Sequence, residues 1–215
     1  MKADDPHADA RVATAGRALA DAATAVVLLH GRGGEPSDML SLAVRFFDDG
    51  TTAFLAPQAA GQTWYPHSFL AAREQNEPSL SGALRAVGRT VDLAAAAVGA
   101  ERVAVVGFSQ GACLAAEFVA RHPKRYGGLV CLTGGLIGAT LEPAYAGHLA
   151  GTPALLTSGD PDPHVPWPRV EETAVVLRDL GAGVDLRRYP GRPHTISADE
   201  VELARGLLAA ISGAA

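Results

Sequence analysis

The sequence predicts an α/β protein with a mainly parallel central sheet and helices on both faces. Two observations predict it. Short runs of apolar, largely β-branched residues, each ended by Gly or Pro, alternate along the chain with segments of helical period. Most of these runs are apolar throughout, as in strands buried on both faces. A chain of 215 residues suits one domain with one large core, and no repeat, linker or composition shift divides residues 1–215.

The elements follow in order. The first twenty residues read as an N-terminal extension or edge hairpin; "VATAGRALADA" fits either a helix or an antiparallel edge hairpin, and the hairpin is the preferred reading. Strands are predicted at Thr24–Gly31, Thr51–Pro57, Arg102–Phe108, Gly127–Gly134, Thr152–Gly159 and Val184–Pro190. Helices are predicted at Asp38–Phe47, Ser79–Val98, Gln110–Arg121, Arg169–Leu180 and Ser197–Ile211. Ser197 and Glu200 form the capping-box pattern S-x-x-E. One stretch, Pro57–Pro78, has no clean period and holds Trp64 and Tyr65. An irregular segment of that length in a compact domain is usually functional or carries short helices.

Composition excludes several classes. Hydrophobic residues at 48% and charged residues at 19% describe an ordinary globular chain rather than a disordered one. Net charge is -5 and the basic residues are scattered, so nucleic acid is not an expected partner. No run reaches the ~18–20 apolar residues of a membrane span. The acidic N-terminus lacks an apolar signal core, so a cytoplasmic location is expected. Cys113 and Cys131 sit in apolar segments without metal or redox spacing and read as buried thiols.

Chemistry concentrates at "GFSQG", Gly107 to Gly111. The pattern G-x-S-x-G between a strand and a helix makes a sharp turn with the serine at its apex. Side chains two positions before and after the serine would collide, which explains both glycines. Ser109 is therefore the expected nucleophile. A serine hydroxyl needs a base, and His194 in "YPGRPHTIS", after the last strand, is the best placed histidine; His164 is its rival. The base needs an orienting carboxylate. "SGDPDPHVP" offers Asp162, with Asp160 as the alternative, and the chain order Ser–Asp–His fits. A tetrahedral intermediate needs backbone N–H donors: one from Gln110, the other from the glycine-rich turn in "LLHGRGGEP". That turn lacks the Lys and Ser/Thr of a phosphate-binding loop.

Together, "LHGRGG", "GFSQGA", "SGDPDPHVP" and "PHTIS" resemble the α/β-hydrolase superfamily, and within it the phospholipase/carboxylesterase family that includes the acyl-protein thioesterases. The resemblance spans about Ala25–Ala210. It implies the α/β-hydrolase fold, a triad of Ser109, Asp162 and His194, and oxyanion donors from the backbones of Gln110 and Arg32. It implies a small-molecule ester or thioester substrate and neither cofactor nor metal. Oligomeric state is left open, a homodimer being one option. Two features depart from the thioesterase pattern. The position of Arg32, often apolar there, puts a guanidinium within reach of a substrate carboxylate or of Glu35, and the "QTWYPHSFL" loop differs. Trp64, Tyr65, His67 and Phe69 in that loop are the expected pocket residues. The expected reaction is hydrolysis of short to medium acyl esters or thioesters. The alternatives are a dienelactone-hydrolase-like lactonase, a lysophospholipase or acyl-protein thioesterase acting on long chains, and an acyltransferase or lyase on the same fold.

Overall fold

The structure is a computed structural model and describes residues 5–141 and 145–213. Among the described residues, seven strands form one sheet: β1 Val12–Gly16, β2 Thr24–Leu29, β3 Thr52–Pro57, β4 Val103–Phe108, β5 Gly128–Leu132, β6 Pro153–Asp160 and β7 Gly183–Pro190. Their spatial order is β1-β3-β2-β4-β5-β6-β7. All pairings are parallel except β1 with β3. Five α-helices accompany them: α1 Pro36–Phe46, α2 Ser79–Val98, α3 Gln110–Arg121, α4 Trp167–Asp179 and α5 Ala198–Ser212.

Side-chain parity explains the continuous apolar runs. Successive residues of a strand point to opposite faces. Ala25, Val27 and Leu29 of β2, with Val103 and Val105 of β4, pack with α2, α3 and α4. Val26 and Leu28, with Ala104 and Val106, pack with Met39 and Ala43 of α1 and Val201, Ala204 and Leu208 of α5. Both parities are buried, so both are predominantly apolar. Strand β7 lies at the sheet edge, and its sequence is correspondingly mixed.

The N-terminus differs from the expected hairpin. Strand β1 is an antiparallel edge strand, yet its partner is β3 and not the next strand in sequence. The reason is that β2 already has parallel partners on both sides, β3 and β4. Ahead of β1, His7 is buried: its ring accepts from the Ala60 N–H and lies 3.0 Å from the Trp64 carbonyl. Helix α1 starts two residues early because Glu35 and Asp38 form a capping box around Pro36. The box at Ser197 and Glu200 caps α5 as its pattern predicts.

Because β2, β3, β4, β6 and β7 run parallel, their carboxyl ends open on one edge of the sheet. The turn 31–34, the segment 58–78, Ser109, Asp162 and His194 all follow those ends.

Candidate active site

Ser109 sits between β4 and α3 at φ 54° and ψ −118°, a left-handed backbone that a non-glycine residue rarely adopts. The turn closes only because its flanks are bare. A Cβ on Gly107 would lie 2.3 Å from the Gly111 carbonyl oxygen, and one on Gly111 would lie 2.2 Å from that of Leu29. The strained serine is pinned at both ends of its backbone. Its N–H donates to Leu132 (3.0 Å) and its carbonyl accepts from Cys113 (3.0 Å).

Three side chains form a line. Ser109 Oγ is 2.9 Å from His194 Nε2, and His194 Nδ1 is 2.8 Å from Asp162 Oδ2. The other oxygen of Asp162 accepts the backbone N–H groups of His164 (2.8 Å) and Val165 (2.9 Å). Burial pushes the Asp162 carboxyl up, but these N–H bonds and the His194 ring outweigh it and hold it below the usual carboxylate range. An ionised carboxylate only accepts, so Nδ1 carries the proton and Nε2 is left to accept from the serine hydroxyl. Asp162 is shielded from solvent and His194 is 19% exposed.

The rivals stand elsewhere. Asp160 pairs with Arg188. His164 packs edge-on against the His194 ring at 4.9 Å between centroids, with Phe108 at 5.3 Å from that ring. It lies beside the line and not in it.

A cavity of about 490 Å³ opens beside Ser109. Arg32, Tyr65, His67 and Phe69 contribute to its lining, with Phe108 and Val165. Trp64 does not. It is wholly buried behind the wall, between the rings of His7 and His30, and its indole N–H donates to the His30 carbonyl (2.9 Å). A buried indole needs an acceptor, and the one it finds fixes it away from the cavity. Cys113 also borders the cavity, but burial pushes its thiol up to about 12, so it stays protonated.

The two residues expected to give oxyanion donors, Gln110 and Arg32, both line the cavity beside Ser109. Gln110 is the first residue of α3, where the N–H has no intrahelical acceptor. In the turn after β2, Gly33 donates to Gln62 and Gly34 to Gly31, and among the described residues the Arg32 N–H makes no such backbone bond. The Arg32 side chain behaves differently from expectation. It does not pair with Glu35, which instead accepts from Gln62 (2.8 Å). It turns onto the segment Thr63–His67.

Two features escaped sequence reading. One is this use of the Arg32 side chain, joined by the Gln110 amide, which accepts from the Trp64 N–H (2.9 Å) and donates to the Tyr65 carbonyl (2.8 Å). The other is a buried network below His194. Glu200 accepts from Arg192 (2.7 Å), from Thr157 Oγ1 and from the Ser197 N–H (2.8 Å), while Arg192 also donates to Thr133 Oγ1 (3.0 Å). The S-x-x-E pattern signalled only the cap. Among the described residues, no group of three or more His, Cys, Asp or Glu side chains converges as a metal site, and no helix is long and apolar enough to cross a membrane.

Comparison with known proteins gives consistent matches. The family model described as phospholipase/carboxylesterase matches residues 10–212. The crystal structure of a phospholipase/carboxylesterase from Dyadobacter fermentans is 43% identical, with a TM-score of 0.90, covering 94% of this chain and 97% of that one. A probable carboxylesterase, SOBER1-like, from Arabidopsis thaliana is 26% identical over 84% of this chain and 76% of its own. Acyl-protein thioesterase 1 from Gibberella zeae is 29% identical over a shorter stretch, 47% of this chain and 45% of its own.

Proposed function

This chain belongs to the phospholipase/carboxylesterase family and is a carboxylesterase-type hydrolase, and from that premise we propose that it cleaves carboxylic esters of short to medium acyl chain through an acyl-serine intermediate. The observation that carries the proposal is the line Ser109–His194–Asp162 beside the cavity. Ser109 Oγ attacks the ester carbonyl as its proton passes to His194 Nε2. The charge that forms on the carbonyl oxygen is met by the N–H groups of Gln110 and Arg32, each worth about 3 kcal/mol in such a site. Collapse breaks the bond to the leaving oxygen, which takes the proton back from His194. Water, activated by the same ring, then attacks the acyl-serine and frees the acid. Asp162 holds the ring in the required tautomer and stabilises its protonated form.

Short to medium chains follow from the aromatic side chains of Tyr65, Phe69 and Phe108 in the lining. Long-chain thioesters are the second reading, favoured by the partial likeness to acyl-protein thioesterase 1. The experiment is kcat/KM across p-nitrophenyl acetate, butyrate, octanoate and palmitate, with fluorophosphonate labelling of the wild type and of Ser109→Ala. Labelling confined to Ser109 and a maximum at butyrate or octanoate are expected. A maximum at palmitate would move the assignment to the second reading, and an active Ser109→Ala would sink the nucleophile.

A further inference from the structure

The two residues proposed to supply the oxyanion N–H groups share a second attachment. The Arg32 guanidinium donates to Thr63 Oγ1 (3.0 Å), to the carbonyls of Pro66 (3.0 Å) and Tyr65 (2.9 Å), and to that of His67 (2.8 Å). The Gln110 amide accepts from the Trp64 N–H (2.9 Å) and donates to the same Tyr65 carbonyl (2.8 Å). Five consecutive residues, Thr63 to His67, are thus gripped by two side chains from different turns. Tyr65 and His67 within that stretch, and Phe69 just beyond it, line the cavity.

The partners of Arg32 matter as much as their positions. They are all neutral oxygens. A planar fork with both terminal nitrogens engaged can bring four oxygens to fixed angles, which a lysine ammonium with three donors on one point cannot. Both terminal nitrogens are committed to the loop, so the group is built into the wall and is not reserved for a substrate carboxylate.

We infer that Arg32 is a positioning residue that sets acyl selectivity: its guanidinium, with the Gln110 amide, locks the Thr63–His67 segment, whose residues Tyr65 to His67 line the cavity, to the turns beside the nucleophile. The inference rests on the proposed ester hydrolysis for its catalytic meaning and on geometry alone for the lock. Any acyl group seated against Tyr65 is then in fixed register with Ser109. Loosening the wall costs discrimination between chain lengths before it costs the chemistry.

Arg32→Met keeps the backbone N–H and the length of the stem while removing the fork; Arg32→Lys restores the charge alone. Two measurements separate the lock from the catalytic reading. Hydrogen exchange of the amides in 63–69 needs no substrate. It should quicken by roughly tenfold or more in Arg32→Met, a factor that even one or two of the four lost hydrogen bonds would supply. The ratios of kcat/KM among p-nitrophenyl acetate, butyrate and octanoate should flatten by a similar factor, mainly through KM, with Arg32→Lys only partly restored. Unchanged exchange in 63–69 overturns the lock. A uniform fall across all esters with the ratios kept, or full recovery in Arg32→Lys, overturns the role in selectivity. Absence of ester turnover in the wild type is a separate outcome: it removes the catalytic reading and leaves the exchange result to decide the lock.

Discussion

Two loops meet at the candidate site, and they are fastened in opposite ways. The loop that carries His194 is held largely from nearby in the chain. Arg192, two residues before the histidine, and Ser197, three after it, both bond to Glu200, whose side chain has no solvent exposure. The segment 58–78 is held from afar. Arg32 and Gln110 grip its backbone, His7 accepts from Ala60, and Trp64 is anchored to His30. The first fastening is an ion pair and buried; these contacts of the second involve no carboxylate, and set neutral donors and the charged, mostly exposed Arg32 donors on neutral acceptors. Removing one member of a buried ion pair strands a charge and costs about 3–5 kcal/mol. An exposed hydrogen bond to a carbonyl contributes about 0.5–1.5 kcal/mol. The difference teaches where each loop can change: the histidine must not move relative to Ser109, whereas the cavity wall can be retuned one contact at a time.

The largest expected effect lies on the histidine side. Ser109→Ala, His194→Ala and Asp162→Asn should each lower kcat by about 10³–10⁴ or more while the fold persists, read by turnover and circular dichroism together. Asp162→Asn makes a second, separate prediction. The Asp162 carboxyl is held below its ordinary value, so its contribution to stability is full above that value and is lost as pH falls through the folded one. Removing the carboxylate should therefore flatten the acid side of a Tm-against-pH curve. A curve parallel to the wild type's would show that Asp162 is not the depressed group.

Next comes Glu200→Ala. It leaves Arg192, whose side chain is 9% exposed, without its carboxylate. The expected cost is about 3–5 kcal/mol, or on the order of 10 °C in Tm for a chain of this size. The double variant Glu200→Ala with Arg192→Met should recover much of that loss, because no charge is then stranded. If the double variant is as unstable as the single one, the ion pair is not what fastens the histidine loop, and the contrast with the other loop fails.

The wall is tested by a pair of aromatic truncations. Trp64→Ala should destabilise by about 3–5 kcal/mol and lower all ester rates together, since Trp64 is buried behind the cavity. Phe69→Ala, at the lining, should shift the preferred acyl length instead. A selectivity shift from Trp64→Ala at full stability would reverse the assignment of the two rings.

Legibility in the sequence followed the same division. The strands and helices were readable because both faces of the sheet are covered, so Val26 and Val27 both had to be apolar although they point in opposite directions. The serine turn was readable because Gly107 and Gly111 have no steric alternative. Trp64 was misread because a bulky aromatic in an irregular loop looks the same whether it lines a cavity or plugs the space beneath. Only the position of the His30 carbonyl, more than thirty residues away in the chain, distinguishes the two. The pairing of β1 with β3 was hidden for a similar reason: it depends on which neighbours β2 had already taken. Arg32 and Gln110 were read through their backbones, and nothing local in "GRGG" or "FSQG" announces what their side chains reach.

The smallest expected effects belong to the rivals of the proposed triad, and they sharpen the comparison most finely. Asp160 is the last residue of β6 and sits two residues before Asp162, so sequence alone hardly separates them. Its partner is Arg188, whose side chain is 55% exposed, in an ion pair at the edge strand β7. Exposed pairs of this kind contribute about 0–1 kcal/mol, so Asp160→Asn should leave kcat within a few-fold of wild type and Tm nearly unchanged. His164 is closer to the chemistry. Its ring packs edge-on against that of His194, and its backbone N–H, not its side chain, serves Asp162. His164→Ala keeps that N–H and removes a packing contact on the proposed base and part of the cavity lining. An aromatic pair is worth about 0.5–1.5 kcal/mol beyond area burial, so the expected loss is less than about tenfold in kcat. A loss from His164→Ala as deep as that from His194→Ala would make His164 a second base, and one from Asp160→Asn as deep as that from Asp162→Asn would transfer the orienting role. Either result would mean that the histidine loop is held by more than the Glu200 network, and the contrast between the two loops would have to be redrawn.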